Sequence, residues 1–195
     1  FTTQPINVVA STEHVYKSPL NAYLHLCEIG EQTNTHIIPG IEALSTEGIE
    51  VIFLFRDEAG LRNATPDLKS FKWSIRAVTQ IKATHDCIAI VPHPFTMGQT
   101  GAANKLDTAG YAELLSMVDY IEIHNGSSLS LRKLMKSRIP IELTKGMKRK
   151  IEYTYQLPDA YRGKKLGWSI GSDAHFPGEQ ICVGSHRGPK HDESP

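Results

Sequence analysis

The sequence predicts an α/β fold built on a buried, parallel sheet. Short β-branched apolar runs alternate with stretches of helical periodicity along the chain. Several of these runs, such as residues 49–55 and 87–91, are almost continuously apolar, as expected of strands covered on both faces. Histidines and acidic residues recur just beyond them, which places chemistry at one end of the sheet.

Residues 6–10 (Ile-Asn-Val-Val-Ala) form the first predicted strand. Ser18 and Pro19 then open a helix whose apolar face is Leu20, Tyr23, Leu24 and Cys27, with Gly30 as its stop. Residues 36–42 are a second strand, broken by Pro39-Gly40 and leading to Glu42. Residues 49–55 are a third, buried in its middle. Residues 66–84 predict a helix with Leu68, Phe71, Ile75, Val78 and Ile81 on one face. Strand four is 87–91, followed by Pro92-His93-Pro94. A Gly- and Thr-rich loop over 96–104 has the composition of an active-site loop. Residues 108–117 and 128–137 predict helices, and 118–124 a fifth strand. Residues 139–166 mix a basic stretch with tyrosines and assign no element. A short apolar run at 168–170 leads to Gly171-Ser172-Asp173-Ala174-His175.

At 195 residues the chain fits one domain with a sizeable core. Lys+Arg and Asp+Glu are both 21, so no global charge draws it to nucleic acid or membrane. No apolar run approaches the roughly 20 residues that span a bilayer. Three scattered cysteines, Cys27, Cys87 and Cys182, make neither a disulfide framework nor a metal knuckle, so a cytoplasmic setting is expected. No Walker or dinucleotide loop and no Gly-x-Ser-x-Gly elbow occurs. Residues 185–195 are expected to be a loose tail.

Five strand-like runs lead into metal-capable side chains: His14, Glu42, His93, His124, and the pair Asp173 and His175. Neutral imidazoles with carboxylates suit Zn, Mn or Fe. A single histidine after a strand is commonly a hydrogen-bonded rim residue, but five converging runs point to a shared site. Glu13 reads equally as a carboxylate orienting an imidazole or as a surface group. Glu122 is a partner for that rim or a buried, paired carboxylate. The basic stretch Lys145 to Lys150 reads more readily as a solvated face than as a phosphate grip. Asn125 and Ser127 lie near the rim. His25, His36 and His85 have no convergent partner.

The ordered segments Ser11-Thr12-Glu13-His14, Ile38-Pro39-Gly40-Ile41-Glu42, Val91-Pro92-His93-Pro94, Ile121-Glu122-Ile123-His124-Asn125 and Gly171-Ser172-Asp173-Ala174-His175 resemble the motifs of the PHP family, the polymerase and histidinol phosphatase domains. The resemblance covers about residues 6–184. It implies a distorted (β/α)7 barrel, here N-terminally incomplete, over a domain at residues 1–184. It also implies two or three divalent ions held by His14, Glu42, His93, His124, Asp173 and His175. The implied activity is hydrolysis of a phosphate ester, with His93 or His175 also serving as proton donor. The expected partner is a small phosphorylated substrate or a nucleic-acid end. Two features depart from the family pattern: no His-x-His pair precedes the first run, and Glu13 stands where the family has Asp. They motivate the alternative of a degenerate, non-catalytic module. An amidohydrolase-type barrel fits the Asp-x-His ending less well.

Overall fold

The computed structural model describes residues 6–95, 101–126 and 166–173, with the backbone alone at His124. It is a mixed α/β structure around one curled six-stranded sheet. The strands are β1 (Val8–Ser11), β2 (His36–Leu44), β3 (Glu50–Phe55), β4 (Cys87–Val91), β5 (Tyr120–Asn125) and β6 (Gly167–Gly171). They lie side by side in chain order. The helices are α1 (Pro19–Thr33), α2 (Glu58–Ala64), α3 (Val78–His85), α4 (Ala102–Lys105) and α5 (Thr108–Met117). The expected helix at 128–137, the stretch at 139–165 and the tail at 185–195 lie outside the described residues.

The sheet is not all parallel. β1 pairs with β2, β4 with β5 and β5 with β6 in parallel, but β3 runs antiparallel to both neighbours. The reason is chain length. Only residues 45–49 separate β2 from β3, and a parallel crossover needs about a dozen residues. The connection closes as a hairpin: Gly48 N–H donates to Ser45 O at 2.9 Å, and Ser45 N–H donates to Ile49 O at 2.9 Å. Gly48 takes φ +69°, a conformation in which a side chain would be strained.

This hairpin sets which residues share a face. Glu42 lies opposite Ile52, and Glu50 is two residues before Ile52, so it sits diagonally across from Glu42 on the same face. On the other face Ile41 faces Phe53 and Ala43 faces Val51, all fully buried. Leu61 and Ala64 of α2, Val78 and Ile81 of α3, and Leu114 and Leu115 of α5 belong to the same apolar core. Trp73 meets Phe53 edge-on, with ring centroids 5.5 Å apart. β3 therefore alternates between buried and half-buried residues instead of being covered on both sides.

Three helical expectations change. α1 begins at Pro19 but runs through Gly30 to Thr33, closing on Asn34 in the left-handed region. Ser18 sits at its cap position without a side-chain cap bond. The single helix over 66–84 is instead a loop, a 3-10 turn at Ile75–Ala77 and α3. Leu68, Ile75, Val78 and Ile81 are buried as a helical stripe would be, but Phe71 is exposed at φ +60°. The apolar spacing arose from a loop folded over the core. The helix that precedes it, α2, is capped by Asp57, whose Oδ1 accepts from Gly60 N–H at 2.9 Å. In β2 the chain passes straight through Pro39, because β1 ends at Ser11, the residue opposite it.

Replacing Phe53 by Ala is expected to cost about 3–5 kcal/mol in chemical denaturation, because it empties the centre of this core. Ile88→Ala, on the half-exposed side of β4, is expected to stay within about 0.5 kcal/mol. Equal losses at the two positions would contradict the assigned faces.

Candidate metal centre

Glu42 is the hub of the site. It stands within β2 and not after it, with fully buried Ile41 and Ala43 beside it. Beyond β1 the chain touches β2 once more, as an isolated parallel bridge between His14 and Glu42. Glu42 N–H donates to Glu13 O at 3.2 Å, which locks the two segments together. His14 Nδ1 then lies 3.1 Å from Glu42 Oε2. Glu13 takes a local role: its Oε1 accepts the backbone N–H of His14 at 2.9 Å. Tyr16 stacks on the His14 ring at 5.0 Å between centroids.

His93 reaches the same carboxylate from the end of β4. Its Nε2 lies 3.4 Å from Glu42 Oε1 and 3.4 Å from Glu50 Oε2. His14, Glu42 and Glu50 each offer one ligand atom, all within 4.8 Å of one another. His93 is 7% exposed, and its Nδ1 is buried with no hydrogen-bond partner among the described residues. Glu50 has no place in the sequence-derived set. It starts a strand rather than ending one, and only the reversal of β3 brings it to the rim. The five-residue spacing between β2 and β3 was the signal available for it.

A second group of polar atoms adjoins the first. The backbone N–H of His93 donates to Glu122 Oε2 at 2.5 Å. Asn125 Nδ2 donates to the same oxygen at 3.0 Å and lies 3.3 Å from Asp173 Oδ2. Asp173 is thus tied to Glu122 through Asn125. It lies past the end of β6 with φ +48°, so strand alternation does not place it and His175 on one side. His175 lies outside the described residues. A register shift in β5 between Glu122 and His124 interrupts regular alternation there as well. The side chain of His124 lies outside the described residues.

The charges are unbalanced. Glu42, Glu50, Glu122 and Asp173 bring four carboxylates against the imidazoles of His14 and His93. Burial disfavours the charge on His93. The hydrogen bond His93 donates to Glu42 and the nearby charges of Glu122, Glu42 and Glu50 outweigh it and push the imidazole up to about 9. Burial pushes the Glu122 carboxyl up to about 7 despite the His93 charge and its hydrogen-bond donors, and Asp173 adds to the rise. His93 thus retains its proton because carboxylates surround it, and Glu122 because it is buried. Mixed imidazole and carboxylate donors that retain protons are the donor chemistry a divalent cation satisfies.

No family model matches the chain, and no curated protein matches it. Solved structures give partial overlaps. The lesion-specific endonuclease PfuEndoQ from Pyrococcus furiosus aligns at 12% identity with a TM-score of 0.43, over 60% of this chain and 33% of that one. Endonuclease Q in complex with a 27-mer duplex substrate carrying an abasic lesion aligns at 12% identity and TM-score 0.44, over 62% and 34%. PsfC from Pseudomonas syringae PB-5123 aligns at 17% identity and TM-score 0.46, over 66% and 54%. The overlap spans about a third of the endonuclease chains, and it is too slight to assign a residue role. Among the described residues, no helix is long and apolar enough to cross a membrane.

The retained protons make a pH prediction. Both groups hold a proton more tightly folded than at their ordinary values of 4.5 for Glu122 and 6.5 for His93. Glu122 thus contributes stability below about 4.5 that is lost through about 7. His93 contributes stability below 6.5 that is lost through about 9. In chelator, the thermal midpoint is expected to fall as pH rises across this window. His93→Asn is expected to flatten the upper half. A midpoint that rises from pH 6.5 to 9 would contradict the arrangement.

Proposed function

We propose that this chain is a metal-dependent phosphoric ester hydrolase. The observation that carries the reading is the meeting of His14, Glu42, Glu50 and His93 at one rim of the sheet, two imidazoles and two carboxylates from four separate segments. The order of the sequence motifs supports assigning the chain to a PHP-type barrel over residues 1–184. His14, Glu42 and Glu50 hold one divalent ion in this proposal, Zn, Mn or Fe. Glu42 has both oxygens engaged, Oε2 toward His14 and Oε1 toward His93, so its carboxylate would be the central donor for a bound cation. His93, Asp173, His124 and His175 complete the set of donors.

A cation bound there supplies Lewis acidity toward the phosphoryl oxygens and activates water for attack on phosphorus. The chain's own groups do the rest. Glu42 and Glu50 fix the position of positive charge at the rim, so a phosphate is drawn to a defined place. The half-buried imidazole of His14 and the buried imidazole of His93 flank Glu42 and keep the donors in place on rigid backbone. His93 and His175 are the groups assigned to hand a proton to the leaving oxygen as the P–O bond breaks, giving an alcohol and phosphate. The substrate class is a phosphate ester, either a small phosphorylated molecule or a nucleic-acid end.

The test uses protein purified without chelator. Metal analysis is expected to return at least one equivalent of a divalent transition metal. A chromogenic aryl phosphate should turn over with Mn or Zn and stop on chelation. Glu42→Gln and Glu50→Gln should each weaken metal binding by about tenfold or more while keeping the fold. Absence of bound metal together with chelator-insensitive background turnover would refute the hydrolase reading and leave a non-catalytic module.

A further inference from the structure

Glu122 is 8% exposed and sits on β5, at the junction of two strained turns. His93 has φ +27° and Asp173 has φ +48°. Non-glycine residues rarely adopt this region, and the surrounding structure has to hold them there. His93 is restricted further because Pro94 follows it. Both residues are tied to one polar pair. The His93 N–H is captured by Glu122 Oε2, and the Asn125 amide lies between that oxygen and Asp173 Oδ2. The other carboxylate oxygen, Oε1, occupies the space a side chain would fill at Gly171: a Cβ there would overlap it. Glycine at that position is what lets β6 close on β5 with Glu122 between them.

Glu122 Oε2 already accepts from two donors, so it is spent on backbone and amide. A buried backbone N–H that loses its acceptor pays the full cost of desolvation, so this short hydrogen bond to the buried Glu122 oxygen holds the turn in place. With the His93 backbone fixed, its Nε2 faces Glu42 and Glu50. We infer that Glu122 and Asn125 are positioning residues, which act through His93 and Asp173 to set the spacing of the donors without binding metal themselves. The backbone part stands on the geometry alone; its consequence for metal affinity rests on the hydrolase reading above.

The experiment compares the full chain with its Glu122→Ala and Glu122→Gln variants in two readouts. The first is backbone amide exchange of the metal-free protein. In Glu122→Ala the His93 amide should exchange at least about tenfold faster relative to Phe53 and Ala89, core strand amides that serve as controls. Gln keeps a carbonyl acceptor and should restore most of the protection. The second readout is titration with Mn(II), whose Kd should rise about 10- to 100-fold in the Ala variant and less in the Gln variant. If Glu122→Ala does not fold, Gly171→Ala replaces it, since its methyl displaces the same carboxylate.

Unchanged His93 exchange, or loss of protection shared equally by Phe53 and Ala89, would overturn the positioning role. So would an unchanged Mn(II) Kd in a variant whose His93 amide has been released. A wild-type protein that takes up no Mn(II) would sink the hydrolase reading instead, and the exchange readout would still decide whether Glu122 holds His93.

Discussion

The structure turns on one buried carboxylate. Glu42 stands in a central strand, 9% exposed, between two residues with no exposure at all. Removing a carboxylate from water is costly unless other groups satisfy it. The chain brings partners from both sides: His14 from the segment beyond β1, and His93 from the end of β4. Those partners in turn fix how β1 and β4 must end. The strand ends and the turns that follow them are arranged around this group.

The reversal of β3 gives the site its character. A parallel third strand would direct its C-terminal residue, Phe55, to the rim and leave Glu50 at the far end. Because the hairpin is too short for a crossover, Glu50 arrives at the rim and Phe55 goes to the core. The result is a site richer in negative charge than strand-end residues alone would make it. The excess carboxylate, acting against burial, holds the His93 proton above its ordinary range, while Glu122 is raised first by its own burial. That excess also explains why the site has the chemistry of a cation receptor and not of a serine- or cysteine-based nucleophile. Among the described residues the one buried cysteine, Cys87, lies at the start of β4, and burial pushes its thiol up to about 11, away from the reactive thiolate.

Stability and function sit on opposite faces of the same strands. Val51, Phe53 and Phe55 belong to the core, while Glu50 and Ile52 share a face with Glu42. The period of two lets one short strand serve both purposes. The site's rigidity is therefore borrowed from the core. The Ser45–Ile49 turn and the β2–β3 ladder hold Glu42 and Glu50 in fixed register regardless of what they bind.

Local chemistry was legible in the sequence. β4, α5 and most strand positions follow from apolar runs and helical periodicity, because propensity and periodicity act over a few residues. The residue types of the site were legible too, since His14, Glu42 and His93 each follow or occupy an apolar run. Tertiary structure decided which of them meet. The bulge in β5 after Glu122 and the left-handed turns at His93 and Asp173 depend on pairing between segments roughly 30 to 50 residues apart, whereas the direction of β3 and the arrival of Glu50 follow from the short hairpin after β2. A local pattern fixes what a side chain can do. Its neighbours across the sheet fix where it points, because register and strand direction are set by contacts that no short stretch of sequence contains.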